Sequence, residues 1–475
     1  MIKSVINFIY DNLIYKKGDI FSLFIFILFL NFLSSQFFIN DLLRPYEPTL
    51  MNGSFDKNSI QLNYNSDITL KGNSDSTYIV NNTQSISSRY QFKSLLLDLE
   101  LSFHDKKFLS SEDKWIVDYY NKNKFLKGNI YILNSSNINP SLFLQFDEHN
   151  NTSYGLGLTK DKGALNFDLR YKKIFTISDL DLSYDDFNFA ATPTIRNNSL
   201  FLNTSYNTNN FFIELYNLKH DGKLYDCKTK NPSHDFNINN QDYIDYGFNF
   251  LYKMDGITSI DFHHKNKKME SSADLIEGDF PHIVELLKIN YLKSQLDYYR
   301  IAFNKENNNK IYEIGLLHNN LSLFGSYRIR TSFISDSMES AFGAPIVNGK
   351  NNGSILSNGI FINLLSNLNN NTDLLFSFTY LHDKYNIDFE NALLSSFAIP
   401  FDVSFDRLDI VAKDAVILNI EFNKQFKTID ALFSFTQHIP LEIERYNEED
   451  NQDEIAGGKG FYGGGLFKTM LVYHF

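Results

Sequence analysis

The feature that most constrains this chain is an alternation of apolar and polar residues, which recurs in segments from about residue 61 onward. In the segment 164–171 the apolar and polar side chains would fall on opposite faces of a strand: Leu165, Phe167 and Leu169 against Asn166, Asp168 and Arg170. Successive side chains of a β-strand point to opposite faces of the sheet, whereas an amphipathic helix repeats at i, i+3 and i+4. The pattern therefore predicts an all-β fold.

Clusters of Asn, Asp, Lys and Gly separate the alternating segments. They occur at 150–151, 160–163, 207–210, 254–256, 307–309, 319–320 and 369–371. Asn, Asp and Gly tolerate the positive φ values that tight turns demand. Strands joined by such short turns pair antiparallel in sequence order. The sequence predicts a meander of roughly 14 to 20 strands.

A meander of this length favours closure into a barrel, because an open sheet would leave two exposed edges. Aromatic residues make up 16% of the chain, yet its mean hydropathy is only -0.28. An apolar outer face averaged with a polar lumen gives such a value. We therefore predict an all-β antiparallel meander closed as a transmembrane β-barrel.

The last segment, 467–475, contains a candidate membrane-insertion signal. One face of it is apolar apart from Thr469 and consists of Phe467, Leu471, Tyr473 and Phe475. A strand that finishes on an aromatic residue, any residue and Phe resembles the terminal β-signal of outer-membrane barrel proteins. The predicted location is the outer membrane of the cell. The predicted partners are outer-membrane lipid, lipopolysaccharide and the barrel-assembly machinery.

The N-terminal segment 1–36 has the order of a secretory signal, with Lys16 and Lys17 before an apolar run and Ser34 after it. The run, residues 20–33, is shorter than the roughly 18 residues that a membrane-spanning helix needs. A signal anchor is the alternative. We predict a signal segment over 1–36 and a barrel over 126–475. Residues 37–125 would form a β-rich region, the first strands or a plug.

No residue pattern predicts an enzyme, a cofactor or a metal site. The net charge of -12 argues against a basic surface for nucleic acid. The single Cys227 excludes an intramolecular disulfide and a multi-cysteine zinc site. His263 and His264 would point to opposite faces of a strand and could not share one metal. The carboxylates within 402–414 would line a lumen or lie on a polar face. Those within 442–454 would gather divalent cations or belong to a solvated loop.

Three stretches in the last third of the chain are similar to one known family. They are Leu321–Phe324 with Asp336–Gly343, Asn391–Phe405 and Phe433–Glu444. Through them, residues 311–475 resemble the translocator barrel of autotransporter-type subtilisin-like serine peptidases of Gram-negative bacteria. The chain has no His-Gly-Thr or Gly-Thr-Ser-x-Ala motif. The resemblance therefore implies a translocator barrel without its peptidase passenger.

The sequence as a whole predicts an outer-membrane barrel of the pore or translocator type, without enzymatic chemistry. One alternative is a surface binding or adhesion protein, whose barrel anchors long loops at 221–241 and 335–357. A soluble or anchored periplasmic β-rich protein is another. A barrel enzyme with a site assembled from scattered strands is a further alternative.

Deletion of residues 473–475 is expected to prevent assembly, because it removes the insertion signal and shortens the closing strand. Backbone groups left unpaired in hydrocarbon each cost several kcal/mol. Cell fractionation with an assay for heat-modifiable gel mobility checks this, and the truncated chain is expected in the periplasm. The milder change Phe475→Ala should slow assembly more than it destabilises the finished barrel, since one apolar side chain contributes only about 1 to 3 kcal/mol. Normal insertion of the truncated chain would contradict the prediction.

Overall fold

The computed structural model describes most of the chain from residue 58 onward. The described residues are 58–70, 77–112, 115–133, 138–160, 163–177, 179–184, 187–229, 234–277, 284–307, 309–330, 346–369, 371–394, 400–404, 408–443, 446–447 and 464–474. The predicted signal segment and Phe475 lie outside them. Within these ranges, no helix has the length and apolar character needed to cross a membrane.

The regular structure of the described residues is all β. The first strands are β1 (Ser59–Leu70), β2 (Thr77–Phe92), β3 (Leu95–Glu112), β4 (Trp115–Ile132), β5 (Asn139–Asp147), β6 (Thr152–Lys160) and β7 (Leu165–Ile177). The next are β8 (Asp179–Tyr184), β9 (Phe187–Asn207), β10 (Phe211–Thr229), β11 (His234–Lys253), β12 (Thr258–Glu277), β13 (Val284–Asn307) and β14 (Lys310–Arg330). The last are β15 (Ile346–Asn369), β16 (Thr372–Leu394), β17 (Pro400–Ser404), β18 (Leu408–Gln425), β19 (Ile429–Ile443), β20 (Tyr446–Asn447) and β21 (Gly464–His474).

Eighteen of these strands form one closed antiparallel ring, so the predicted all-β barrel is confirmed. Each ring strand pairs with its neighbours in sequence order, except that the short strands β8, β17 and β20 attach beside the ring strands. Residues 59–125 supply β1 to β3 and the start of β4 to this ring.

The ring closes between its first and last strands. β21 pairs with β19 on one side and with β1 on the other, where Leu62 lies opposite Leu471. Since both edges of β21 are paired, the sheet has no open edge at the seam. Both ends of the described chain lie at the same end of the barrel, together with the turns at 92–95, 207–211 and 369–372. We call this the turn end and the opposite one the loop end.

Several turns lie where the sequence predicts them. Asn150 and Asn309 have φ values of 64° and 65°, which Asn tolerates better than most residues. In the turn between β11 and β12, Asp255 Oδ1 accepts hydrogen bonds from the backbone amides of Ile257 (2.8 Å) and Thr258 (2.6 Å). These donors favour the charged carboxylate, so the Ile257 amide in particular lowers the pKa of Asp255.

Two predictions about turns and loops are wrong, and a third is wrong in part. Residues 319–320 do not form a turn but lie inside β14, where Asn319 is fully buried on the inner face. Residues 221–241 do not form a long loop, since 221–229 belong to β10 and 234–241 to β11. Within the second predicted loop, residues 346–357 belong to β15. Polar residues on the inner face of a strand resemble a loop in composition, which explains these errors.

The hairpin of β5 and β6 is shorter than most of its neighbours, with nine residues in each strand. It lies between β4 and β7 near the turn end. Beyond its tip, β8 prolongs the course of β7 and pairs directly with β4 and β9. The hairpin therefore acts as a wedge that widens the ring at the turn end only.

A belt of exposed apolar side chains surrounds the outer face next to the turn end. On β13 it contains Phe303, Ile301 and Tyr299, between outward-facing Lys305 and Asp297. Leu165 and Leu169 lie in the belt on β7, as the alternation predicts. Large apolar residues therefore face outward around the ring, where a soluble protein would expose polar ones.

The most tightly packed apolar residues lie on the inner wall of the second half of the ring. One cluster comprises Tyr298, Ala302, Leu317, Phe361, Leu381, Ala415 and Ile417. A second comprises Tyr243, Met269, Leu296 and Leu321. Both clusters consist of side chains from adjacent strands, so they stiffen the wall on its inner side.

Ring closure predicts a specific cross-link. In a Cys227→Ser background, Leu62→Cys and Leu471→Cys place two thiols on directly opposed residues, about 4.5 to 5.5 Å apart between Cα atoms. That spacing suits a disulfide, so oxidation is expected to join β1 to β21. Proteolysis and non-reducing electrophoresis detect the linked fragments.

The matched control combines Leu62→Cys with Phe467→Cys. Phe467 pairs with Ser66, four positions along β1 from Leu62, so its thiol lies about 13 Å too far along the strand. This pair is expected to stay reduced. Equal cross-linking of both pairs would contradict the register of the seam.

Candidate functional site

The candidate site is the inner wall of the ring at the height of the outer apolar belt. Its side chains come from the alternate positions of the same strands and include many polar residues, which lie beside the inner apolar clusters. Asn203 illustrates this on β9, between outward-facing Leu202 and Thr204. The wall is thus a direct product of the alternation in the sequence.

Arg300 on β13 is the central charge of this wall, and its side chain is almost fully buried. The guanidinium donates to Asp261 Oδ2 at 2.8 Å and to Glu313 Oε1 on the other side. It also lies over the ring of Phe361, 4.7 Å from the centroid. Two carboxylates and an aromatic face thus compensate a cation that burial alone would disfavour.

From Arg300 the polar contacts continue strand by strand toward β9. The first contact on this side joins Asp261 and His263, with Asp261 Oδ2 2.9 Å from His263 Nε2. His263 Nδ1 lies 2.7 Å from Asn249 Oδ1. Glu214 then accepts hydrogen bonds from Asn249 (2.6 Å) and from Asn203 (2.7 Å). Five adjacent strands are joined in this way.

On the other side of Arg300 the contacts run toward β19. Glu313 accepts a hydrogen bond from Asn363, whose Oδ1 in turn accepts one from Ser377 at 2.5 Å. Asn419 lies opposite Ser377 in the register. The belt ends with hydrogen-bonded side chains on β18 and β19, namely Asn419, Glu421, Ser434 and Thr436. We call this whole set, from Asn203 to Thr436, the acidic belt.

In the other half of the inner wall, basic side chains lie on β2, β4 and β7, and carboxylates of β3 and β7 pair with three of them. Arg89 binds Asp98 through two hydrogen bonds of 2.7 and 2.8 Å. Lys127 lies 3.3 Å from Glu100. Arg170 donates to Asp168 at 2.8 Å, and its neighbour on the same face is Lys172. We call Arg89, Lys127, Arg170 and Lys172 the basic wall.

The acidic belt and the basic wall face one another. Glu313 on β14 lies nine strands around the ring from Lys127 on β4, which is the opposite side of an eighteen-stranded barrel. Arg89, Lys127 and Arg170 are each balanced by a carboxylate, so the field across the space between the walls comes mainly from the carboxylates of the acidic belt, which outnumber Arg300.

The terminal-strand residues lie elsewhere. Phe467, Leu471 and Tyr473 are exposed on the outer face of β21, in the apolar belt, as predicted for one shared face. Phe475 lies outside the described residues. Their role as an insertion signal stays a prediction, because the arrangement of the finished barrel does not report how it was assembled.

Residues weighed as metal ligands do not come together in the described part of the chain. His263 belongs to the acidic belt, whereas His264 packs on the outer side against Tyr299, with 4.6 Å between ring centroids. Asp414 also lies outward, 2.9 Å from His382 Nδ1. The acidic segment 448–454 lies outside the described residues.

Comparison with known proteins adds the following. No protein-family model and no curated protein matches the chain. Among solved structures it is similar to OccAB3 of Acinetobacter baumannii, with 11% identity and a TM-score of 0.39, over 88% of this chain and 98% of that chain. It is also similar to the ferric enterobactin receptor PfeA of Pseudomonas aeruginosa in complex with BCV-L6, with 8% identity and a TM-score of 0.38, over 89% of this chain and 82% of that chain.

A third similar structure is OmpT, an outer membrane protein of Vibrio cholerae, with 7% identity and a TM-score of 0.27, over 90% of this chain and 100% of that chain. Identities and TM-scores this low support no conclusion about what this chain binds or carries. The resemblance to autotransporter translocators stays a prediction, since no family model supports it.

Removal of the central charge is expected to destabilise the barrel. Arg300→Met leaves Asp261 and Glu313 facing each other without their cation, and breaking a buried pair in this way costs about 3 to 5 kcal/mol. The heat-modifiable gel assay measures this loss, because the folded form of the variant should disappear after heating to a lower temperature than the unchanged protein needs. Combining Arg300→Met with Asp261→Asn and Glu313→Gln should restore most of the loss.

The control for this change is Arg328→Met, which removes the same type of side chain from an exposed position. A change of at most about 0.5 kcal/mol is expected there. If the two single variants lost similar stability, the proposed compensation around Arg300 would be refuted.

Proposed function

We propose that the protein is a pore in the outer membrane, through which small polar solutes pass between the basic wall and the acidic belt. The observation that supports this most directly is the division of one closed wall into an apolar outer and a polar inner face. Only helices and closed barrels satisfy every backbone group in hydrocarbon. A closed barrel with this distribution of side chains fits a membrane on the outside and water on the inside.

The height of the outer belt supports the membrane location. Lys305 and Asp297 bound the belt on β13 and are eight positions apart. At about 3.3 Å per residue and a tilt of about 40°, this distance corresponds to roughly 20 Å of membrane. The hydrophobic band of outer-membrane barrels is about 25 Å tall. The exposed Lys124–Glu148 pair at the tip of the β5–β6 hairpin would lie at the boundary of the belt that faces the loop end.

The number of strands supports the pore. Barrels of 16 to 18 strands are wide enough to leave an aqueous channel, whereas those of about eight are filled by their own side chains. The ring of this protein has 18 strands. By the same proposal, lipopolysaccharide and lipid contact the outer belt, and the barrel-assembly machinery recognises β21.

The second candidate function is binding at the cell surface. β13 and β15 are 24 residues long, so they extend well beyond the apolar belt toward the loop end. This part of the barrel would stand outside the membrane and offers a surface for a partner. A binding protein of this kind needs no open lumen, and ion conduction therefore separates the two functions.

The proposal predicts discrete current steps when the full-length protein, refolded in detergent, is added to planar lipid bilayers. The same preparation should show heat-modifiable gel mobility, because a closed barrel resists unfolding by detergent at low temperature. Heat-denatured protein is the control and should give no steps. Folded, membrane-inserted protein without current would contradict the pore and favour the surface-binding function.

A further inference from the structure

A cavity of about 400 Å³ lies in the inner wall beside the wedge hairpin, near the turn end. Its lining comes from β2 to β7 and β9. At about 30 Å³ of liquid volume per water, it has room for about a dozen water molecules. Ligand pockets begin at about this volume, so the cavity suits a small solute such as a monosaccharide.

The charges that face this cavity are balanced in pairs. Arg89 binds Asp98 through two hydrogen bonds, and Arg170 donates to Asp168. Lys160 also borders the cavity, but it lies opposite Phe167 on the outer face of the strands, so its side chain points away from the lumen. A charged ligand would therefore lose its hydration here without gaining a counter-ion. The lining favours a neutral ligand.

Several neutral groups of the lining have no hydrogen-bond partner among the described residues. They are the amide oxygens of Asn166 and Asn203, which are both buried, and the hydroxyl groups of Tyr131 and Ser205. Asn203 donates through Nδ2 to Glu214 at 2.7 Å, which leaves its Oδ1 for another partner. A buried polar group without a partner is unfavourable, so a ligand that hydrogen-bonds to these groups would gain binding free energy.

The register brings these groups together. Asn166 lies directly opposite Ser205, and Asn203 is the next inward-facing residue of β9, opposite Asp168. Tyr131 faces the same cavity from β4. Amide oxygens accept hydrogen bonds, whereas hydroxyl groups both donate and accept them, so a ligand with several hydroxyl groups can match the whole set.

An apolar patch adjoins these polar groups. It consists of the Tyr131 ring, Leu96 and Leu133. Ligand pockets commonly combine apolar and aromatic side chains with a few well-placed polar groups. A pyranose ring carries hydroxyl groups around its rim and C–H groups on its faces, so it would match both parts of the lining.

We infer that this cavity is a binding site for a neutral sugar, with its hydroxyl groups on the unpartnered amides and hydroxyls and a C–H face on the apolar patch. The inference rests on the proposed function, because such a ligand would reach the cavity through the lumen. It goes further by naming the class of solute and the place where the solute binds.

Titration with D-glucose, followed by saturation-transfer difference NMR, tests the site on the full-length protein refolded in a detergent without a sugar headgroup. We expect saturable binding that Asn166→Leu and Tyr131→Phe each weaken about threefold to tenfold, the usual effect of losing one neutral hydrogen bond. Tyr154→Phe is the matched control, because it removes the same hydroxyl group from an exposed position on the outer face of β6. It should bind glucose like the unchanged protein, and heat-modifiable gel mobility shows that each variant is folded.

Two charged analogues of glucose test the class. D-glucuronate adds a negative charge to the same ring and D-glucosamine a positive one, so both are expected to bind more weakly than glucose, by about tenfold or more. Equal binding of either analogue, unchanged glucose affinity in both cavity variants, or no saturable binding would overturn the inference. Current steps without glucose binding would overturn the inference alone. Glucose binding without current would overturn only the pore.

Discussion

The pairing of the first strand with the last is the constraint on which the rest of this structure depends. Each strand of the ring satisfies its backbone on both sides, and the seam between β1 and β21 extends this to the whole sheet. Without that seam two edges would expose unpaired N–H and C=O groups. Closure also separates an inside from an outside, so the alternation along each strand becomes a division between two environments.

Inside the barrel, ion pairs and hydrogen bonds between side chains stabilise the charged groups of the inner wall. Arg300 lies between Asp261 and Glu313. From these two residues, hydrogen bonds between side chains continue across successive strands. Such a belt fixes the register, since a slip of one residue would move each polar side chain to the apolar face. The same contacts that stabilise the wall therefore keep the charges of its inner face in fixed places.

The sequence predicted what depends on local pattern and missed what depends on pairing between strands. Alternation was enough for the barrel and for the outward faces of Leu165 and Leu169. It did not reveal the acidic belt, because Arg300 meets residues 39 and 13 positions away and only the register brings them together. Polar inner positions such as Asn319 were misread as a turn for the same reason. Charged residues at inward positions of successive strands were the available signal, but using it requires the register.

The wedge hairpin shows how a local change alters one end of a regular barrel. Its nine-residue strands suffice to cross the apolar belt, and β8 closes the wall above them. On the inner face of β6, Gly155 and Gly157 leave space for the stems of Lys172 and Arg170, which lie close against the backbone there. The hairpin that widens the turn end thus also determines where two basic side chains of β7 lie along the inner wall.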